Sequence, residues 1–189
     1  MSTATDIGDN TESIGYGIVL YNKSTGSFTN GKALYNEYIN KTINEDEAYQ
    51  LLKDILIGKK GNTNYAQPVN QFMLDNKIQL EQHQFDALLD LAYNAGTGWL
   101  TLKNNDGTYY FNSLQMIKER IKSGSAFEGE WIGISNATLN GVYGRSENLV
   151  ERRLDEVNMF LKKNYLKHDL TKTQLDKILD GYGLSHVTI

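Results

Sequence analysis

The 189-residue chain contains no cysteine, which excludes disulfides and thiolate metal sites and leaves its redox compartment unmarked. Its three histidines, His83, His168 and His186, are far apart in sequence, so no metal centre and no cofactor is expected. His83 falls on the polar face of a helical pattern and is expected in solvent. No apolar run approaches the roughly 18 residues of a membrane span. The first residues, Met1 to Asp6, lack the basic and apolar regions of a signal peptide, so export would use another route. Basic charge is also short. A net charge of -4 and a pI near 5.4 argue against nucleic acid, whose phosphates demand a basic patch. Lys59-Lys60 and Lys162-Lys163 read instead as helix-end charges complementing the dipole. There is one proline, Pro68, in a stretch of loop composition, and neither an internal repeat nor a low-complexity tract.

What is present describes an ordinary globular chain able to bury a core: 40% hydrophobic, 22% charged, with 12 tyrosines. Its densest chemistry lies near the start. Asp6, Asp9, Glu12 and Ser13 fall within eight residues and are followed at once by Gly15-Tyr16-Gly17. Three carboxylates and a hydroxyl in such a stretch suit acid-base work, although the same pattern also describes an acidic solvated loop. Ile14 and Tyr16 alternate with small residues, and Ile18, Val19, Leu20 and Tyr21 continue as strand formers. A turn at residues 22–26 and a return strand from Phe28 would complete a hairpin, with an irregular connection up to Asn40.

Helical periodicity takes over from residue 44. Asn44 and Glu47 have the form of a capping box, and Ala48, Leu51, Leu52 and Ile55 repeat at helical spacing up to Gly58. A short helix is expected over 69–74. The stretch 79–95 gives the clearest helix, with Phe85, Leu88, Leu89 and Ala92 on one stripe and Gly96 after its end. Further helices are expected around Leu114, Ile117 and Ile121, over 126–132 with Trp131, over 146–164, and over 173–179, with a polar glycine-containing loop at 136–144. A small antiparallel hairpin followed by some six helices is an α+β domain.

Four separated segments resemble one family, the phage-type lysozymes of glycoside hydrolase family 24. Ser13-Ile14-Gly15-Tyr16-Gly17 is similar to its Thr-Ile-Gly-Tyr-Gly, and Ile43 to Ala48 to its Ile-Thr-x-x-Glu-Ala helix start. Gln84 to Leu89 and Ala92 to Gly98 resemble its Gln-Phe-Asp-Ala-Leu-Val and Ala-Phe-Asn-Val-Gly-Thr-Gly. Asn148 to Arg153, with Glu156, resembles its closing Gly-Leu-Val-x-Arg-Arg and Glu. The matches lie in order across about residues 6 to 161.

The resemblance implies a lysozyme-like α+β fold in which a hairpin lobe (about 6–42) and a mostly helical lobe (about 43–165) enclose a sugar-binding cleft. Residues 1–165 form that domain and 166–189 a C-terminal helical extension. It also implies a muramidase that cleaves the β-1,4 bond between N-acetylmuramic acid and N-acetylglucosamine in peptidoglycan, the partner polymer. Such chemistry needs a protonated carboxyl for the leaving oxygen and a second carboxylate for water or the oxocarbenium ion. Ser13 takes the family's Thr place. The Asp place falls at Asp6 if the loop has one extra residue, or at Asp9 if it is shortened. The Glu place, the family's acid, falls before Met1, so an upstream segment is expected to supply it; Glu12 is the nearby substitute, although a strand would turn it to the opposite face from Ser13. Val19, Tyr93, Asn94 and Ser113 would contact substrate, each with a bland alternative as core or helix-end residue. Arg152 and Arg153 are expected to pair with Asp155 or Glu156, and Trp131 to be buried. The resemblance places the action at the bacterial cell wall, reached through a holin, a phage tail or a secretion system. The alternatives are a non-catalytic peptidoglycan-binding module and a secreted antibacterial effector with a cognate immunity protein.

Overall fold

The structure is a computed structural model whose described residues are 1–6, 10–139 and 142–189. It divides into two compact units, Met1–Gln67 and Pro68–Ile189. The division falls beyond the 42/43 lobe boundary expected from the sequence, because a helix assigned there to the helical lobe packs under the hairpin turn. Residues 166–189 fall within the second unit.

The first unit contains β1 (Ser2–Thr3), β2 (Thr5–Asp6), β3 (Thr11–Ile14), β4 (Ile18–Asn22), α1 (Lys32–Tyr38), β5 (Thr42–Ile43) and α2 (Glu45–Leu56). β2, β3 and β4 form an antiparallel sheet in that order, and β1 pairs with β5. The hairpin turn is Gly15-Tyr16-Gly17 itself, not residues 22–26. Both glycines hold left-handed backbone, with φ of 60° and 78°, which reverses the chain within three residues. No return strand starts at Phe28; only a bridge between Asn22 and Ser27 forms there. The segment expected to be irregular instead contains α1, which buries Leu34 and Tyr38 one turn apart. α2 begins as expected: Asn44 Oδ1 accepts from the Glu47 N–H and Glu47 Oε2 from the Asn44 N–H, both at 2.9 Å. A Cβ at Gly15 would lie 3.2 Å from Ala48 Cβ, so a side chain there would require the turn or α2 to shift by a few tenths of an ångström. Lys59 and Lys60 do more than face a dipole, since Lys60 Nζ donates to Glu37 Oε1 at 2.7 Å and to Tyr38 Oη at 3.0 Å.

The division falls in the first turn of α3 (Ala66–Asn76). The second unit continues with α4 (Gln82–Ala95), a 3-10 turn at Gly98–Leu100, α5 (Asn112–Lys118), α6 (Ser125–Gly133), β6 (Asn136–Leu139), β7 (Val142–Arg145), α7 (Glu147–Lys162) and α8 (Lys172–Gly181). α4 and α7 pack along each other. The rings of Phe127, Trp131 and Phe160 meet at 5.3 to 5.7 Å and are fully buried, which bears out the expectation for Trp131. Three expectations fail, and the first concerns Ile121, which lies beyond the end of α5 and is 46% exposed instead of facing inward with Leu114 and Ile117. His83 is buried at 8% exposure at the start of α4, because the helix begins at Gln82 and its first turn lies against the protein. The polar stretch 136–144 contains the antiparallel pair β6 and β7, with Asn136 opposite Arg145 and Thr138 opposite Tyr143. The chain returns to this pair near its numbered end: the N–H groups of Thr188 and Ile189 both donate to the Arg145 carbonyl at 3.0 Å, and the Glu147 N–H donates to the Ile189 carbonyl at 3.0 Å. Among the described residues no helix is long and apolar enough to cross a membrane.

Gly15→Ala is expected to destabilise the protein by about 1–3 kcal/mol, combining a left-handed backbone penalty with the contact on Ala48. Gly17→Ala, which meets open space, should cost about 1–2 kcal/mol. Urea denaturation of both variants checks the order, and equal losses would show that the Ala48 contact adds nothing.

Candidate active site

On the hairpin the chemistry is arranged by strand register. Ser13 stands between Thr5 on β2 and Val19 on β4, and Glu12 stands between Asp6 and Tyr21. The step from the second pairing to the first skips Leu20, a bulge that turns the strand between Glu12 and Ser13. Thr11 and Ser13 share a face, their hydroxyl oxygens 3.2 Å apart and both side chains nearly buried. Glu12 therefore projects from the other face, as expected of a neighbour on a strand. There its Oε1 lies 3.6 Å from Lys23 Nζ, while Oε2 is shielded and has no hydrogen-bond partner among the described residues. Asp6 sits directly across from Glu12, but its side chain lies outside the described atoms, and Asp9 lies outside the described residues altogether. Val19 is half-buried and its carbonyl accepts from Asn30 Nδ2 at 2.9 Å. Next to the turn, Ser2, Gly15, Tyr16, Asn44 and Glu45 line an open depression of about 260 Å³.

In the second unit Tyr93 and Asn94 end α4, Tyr93 half-buried and Asn94 exposed. Asn94 Oδ1 accepts from Arg153 Nη2. Ser113 is displaced from the role expected of it: it is 0% exposed, and its hydroxyl donates to the Phe127 carbonyl at 3.1 Å, so it has no surface to offer a sugar. Trp99 is half-buried, its ring edge-on to Phe111 at 5.1 Å.

Behind Asn94 lies a charged cluster that periodicity did not disclose in full. Arg153 and Glu156 are both fully buried, with Nη2 to Oε1 at 2.8 Å, and Glu156 Oε2 accepts from Trp131 Nε1 at 3.0 Å. Arg152 Nη2 reaches Asp90 Oδ1 at 2.7 Å, and its Nε lies 3.4 Å from Glu156 Oε1. The arginines thus pair within α7 through Glu156, one of the two partners expected, whereas Asp155 takes His168 instead. Burial pushes the Glu156 carboxyl up to about 8, against the downward pull of Arg153 and with a further upward push from Asp90. Burial also lowers Arg153 from the usual guanidinium range. An open depression of about 430 Å³ lies outside Asp90 and Arg152, bounded also by Asn148, Glu151, Asp155 and Lys167. Among the described residues no group of three or more His, Cys, Asp or Glu side chains is placed to hold a metal ion.

The muramidase domain of SpmX from Asticaccaulis excentricus superposes with a TM-score of 0.57 at 20% identity, over 85% of this chain and 86% of that one. The endolysin from Escherichia coli O157:H7 phage FAHEc1 gives 0.58 at 21% identity, over 88% and 85%. A search of curated proteins returned no match. The fold is accordingly an α+β lysozyme fold. The sequence profile described as phage lysozyme matches residues 8–156, and the chain belongs to the phage lysozyme family, a family of lysozyme-type hydrolases.

The buried Glu156 gives stability a definite pH dependence. Its folded carboxyl holds a proton that the unfolded chain releases near 4.5, so its contribution is full below that pH and is lost as pH rises toward about 8. Wild-type stability from this group should fall by up to about 1.4 kcal/mol per pH unit inside that window. Glu156→Gln, which mimics the protonated form, should flatten the slope in urea denaturation across pH 5 to 8; an unchanged slope would refute the assignment.

Proposed function

We propose that the protein is a muramidase that hydrolyses the β-1,4 bond between N-acetylmuramic acid and N-acetylglucosamine in peptidoglycan, acting at the bacterial cell wall. The observation that carries the proposal is the family match over residues 8–156, a span that includes Asp9, Glu12 and Ser13 and begins just after Asp6. Hydrolysis requires a protonated group that donates to the leaving oxygen, a carboxylate beside the forming oxocarbenium ion and a held water. Asp6 or Asp9 takes the carboxylate role. Ser13 orients the water through a hydroxyl whose neighbour, Thr11 Oγ1, lies 3.2 Å away. Tyr93, Asn94 and Val19 are assigned to the glycan. Glu12 is the less suitable proton donor, since it projects from the face opposite Ser13 and lies beside Lys23.

The position of Glu12 also motivates a second reading, a peptidoglycan-binding module that retains the polymer without cleaving it. Purified peptidoglycan separates the two. Loss of turbidity with release of muropeptides bearing new reducing ends is expected of the muramidase; retention on the insoluble wall with no release would identify the binding module. In the active protein, Asn substitution at whichever of Asp6 and Asp9 is catalytic should lower turnover by about 10²–10⁴-fold. If both single Asn variants keep full activity, the hairpin assignment is wrong.

A further inference from the structure

Arg153 is an expensive residue to place where it lies. It is 0% exposed, and its Nε and Nη1 find no hydrogen-bond partner among the described residues. Desolvating a guanidinium costs several kcal/mol unless a partner compensates. One partner is Glu156, which is itself fully buried and fastened by Trp131 Nε1. The other is an exposed amide: the same Nη2 that lies 2.8 Å from Glu156 Oε1 also donates to Asn94 Oδ1. A buried guanidinium–carboxyl pair is thus linked through one nitrogen to a single surface side chain at the end of α4.

That link decides which half of the amide faces outward. A guanidinium has only donors, so it holds the Asn94 oxygen and leaves the Nδ2 donors directed away. Nδ2 has no acceptor among the described residues. The exposed end of α4 therefore presents a donor whose rotation is restrained from inside the protein, and a restrained donor loses less entropy on binding than a free one.

We propose, on the footing of the function above, that Arg153 is a positioning residue: with Glu156 it orients Asn94 so that Nδ2 donates to an oxygen acceptor of the glycan. Arg153 itself touches no substrate. The division of labour is specific to a guanidinium, because a lysine ammonium is a point charge on a thinner stem and cannot serve Glu156 and Asn94 with the same geometry.

The measurements are KM and kcat on soluble, uncrosslinked peptidoglycan glycan strands, or the dissociation constant for those strands if turnover is absent. Asn94→Asp keeps an oxygen for Arg153 and removes the donor. It should leave the melting temperature near that of wild type and raise KM about five- to tenfold with little change in kcat. Arg153→Lys keeps the charge beside Glu156 and frees Asn94, and should raise KM in the same sense; the double variant should be no worse than Asn94→Asp alone. In wild-type protein, side-chain amide NMR relaxation should report a rigid Asn94 Nδ2. Wild-type KM in Asn94→Asp would overturn the proposal. So would a folded Arg153→Lys protein of wild-type KM, or a mobile Asn94 amide, which decides the matter if the lysine variant does not fold. A wild-type chain that neither binds nor cleaves the strands would instead overturn the function on which the proposal stands.

Discussion

A buried guanidinium must be answered by a partner buried with it, and in the second unit Glu156, three residues along α7 from Arg153, is that partner at 2.8 Å. Removing the Glu156 side chain leaves the Arg153 charge uncompensated, a loss of about 3–5 kcal/mol. The surrounding choices follow from it. Trp131 is directed inward with its Nε1–H on Glu156, which ties α6 to α7. Arg152 and Asp90 form a half-exposed pair between α7 and α4. The aromatic cluster of Phe127, Trp131 and Phe160 excludes water from the pair and so raises the Glu156 carboxyl.

The first unit is governed by backbone conformation rather than charge. Two glycines of positive φ separated by one tyrosine give a three-residue turn, and the absence of a Cβ at Gly15 lets α2 approach. Strand register then distributes neighbouring residues to opposite faces, so Ser13 and Glu12, adjacent in sequence, face different surroundings. The bulge opposite that step keeps Ser13 in line with Val19 after the change of register.

Much of this was legible in the amino-acid order. The Asn44 and Glu47 cap, the stripe of Leu88 and Ala92, the buried Trp131 and the pairing of an arginine with Glu156 all follow from helical spacing, which is a local property. The errors have two physical causes, a weak local signal and partners distant in sequence. α1 is only seven residues long and carries just Leu34 and Tyr38 as buried positions, too few for a periodic signal amid glycine and asparagine. The β6 and β7 pair was hidden by its polar residues, although Asn140-Gly141 between Thr138-Leu139 and Val142-Tyr143 is the sequence pattern of a tight hairpin. His83 and Ser113 look polar on a helical wheel, yet tertiary packing covers both. The link from Arg153 to Asn94 spans 59 positions, and no local pattern announces it.

The return of Thr188 and Ile189 to Arg145 has a consequence for how the second unit assembles. The first N–H of α7 is satisfied by a carbonyl from residue 189, and the β7 strand is extended by a segment 43 positions away. Closing so long a loop is entropically unfavourable until other contacts reward it. On a ribosome, α7 and the β6–β7 pair would emerge well before the residues that complete them. The second unit should therefore gain its final cooperativity only after residue 189 has emerged, with the start of α7 frayed until the returning segment docks.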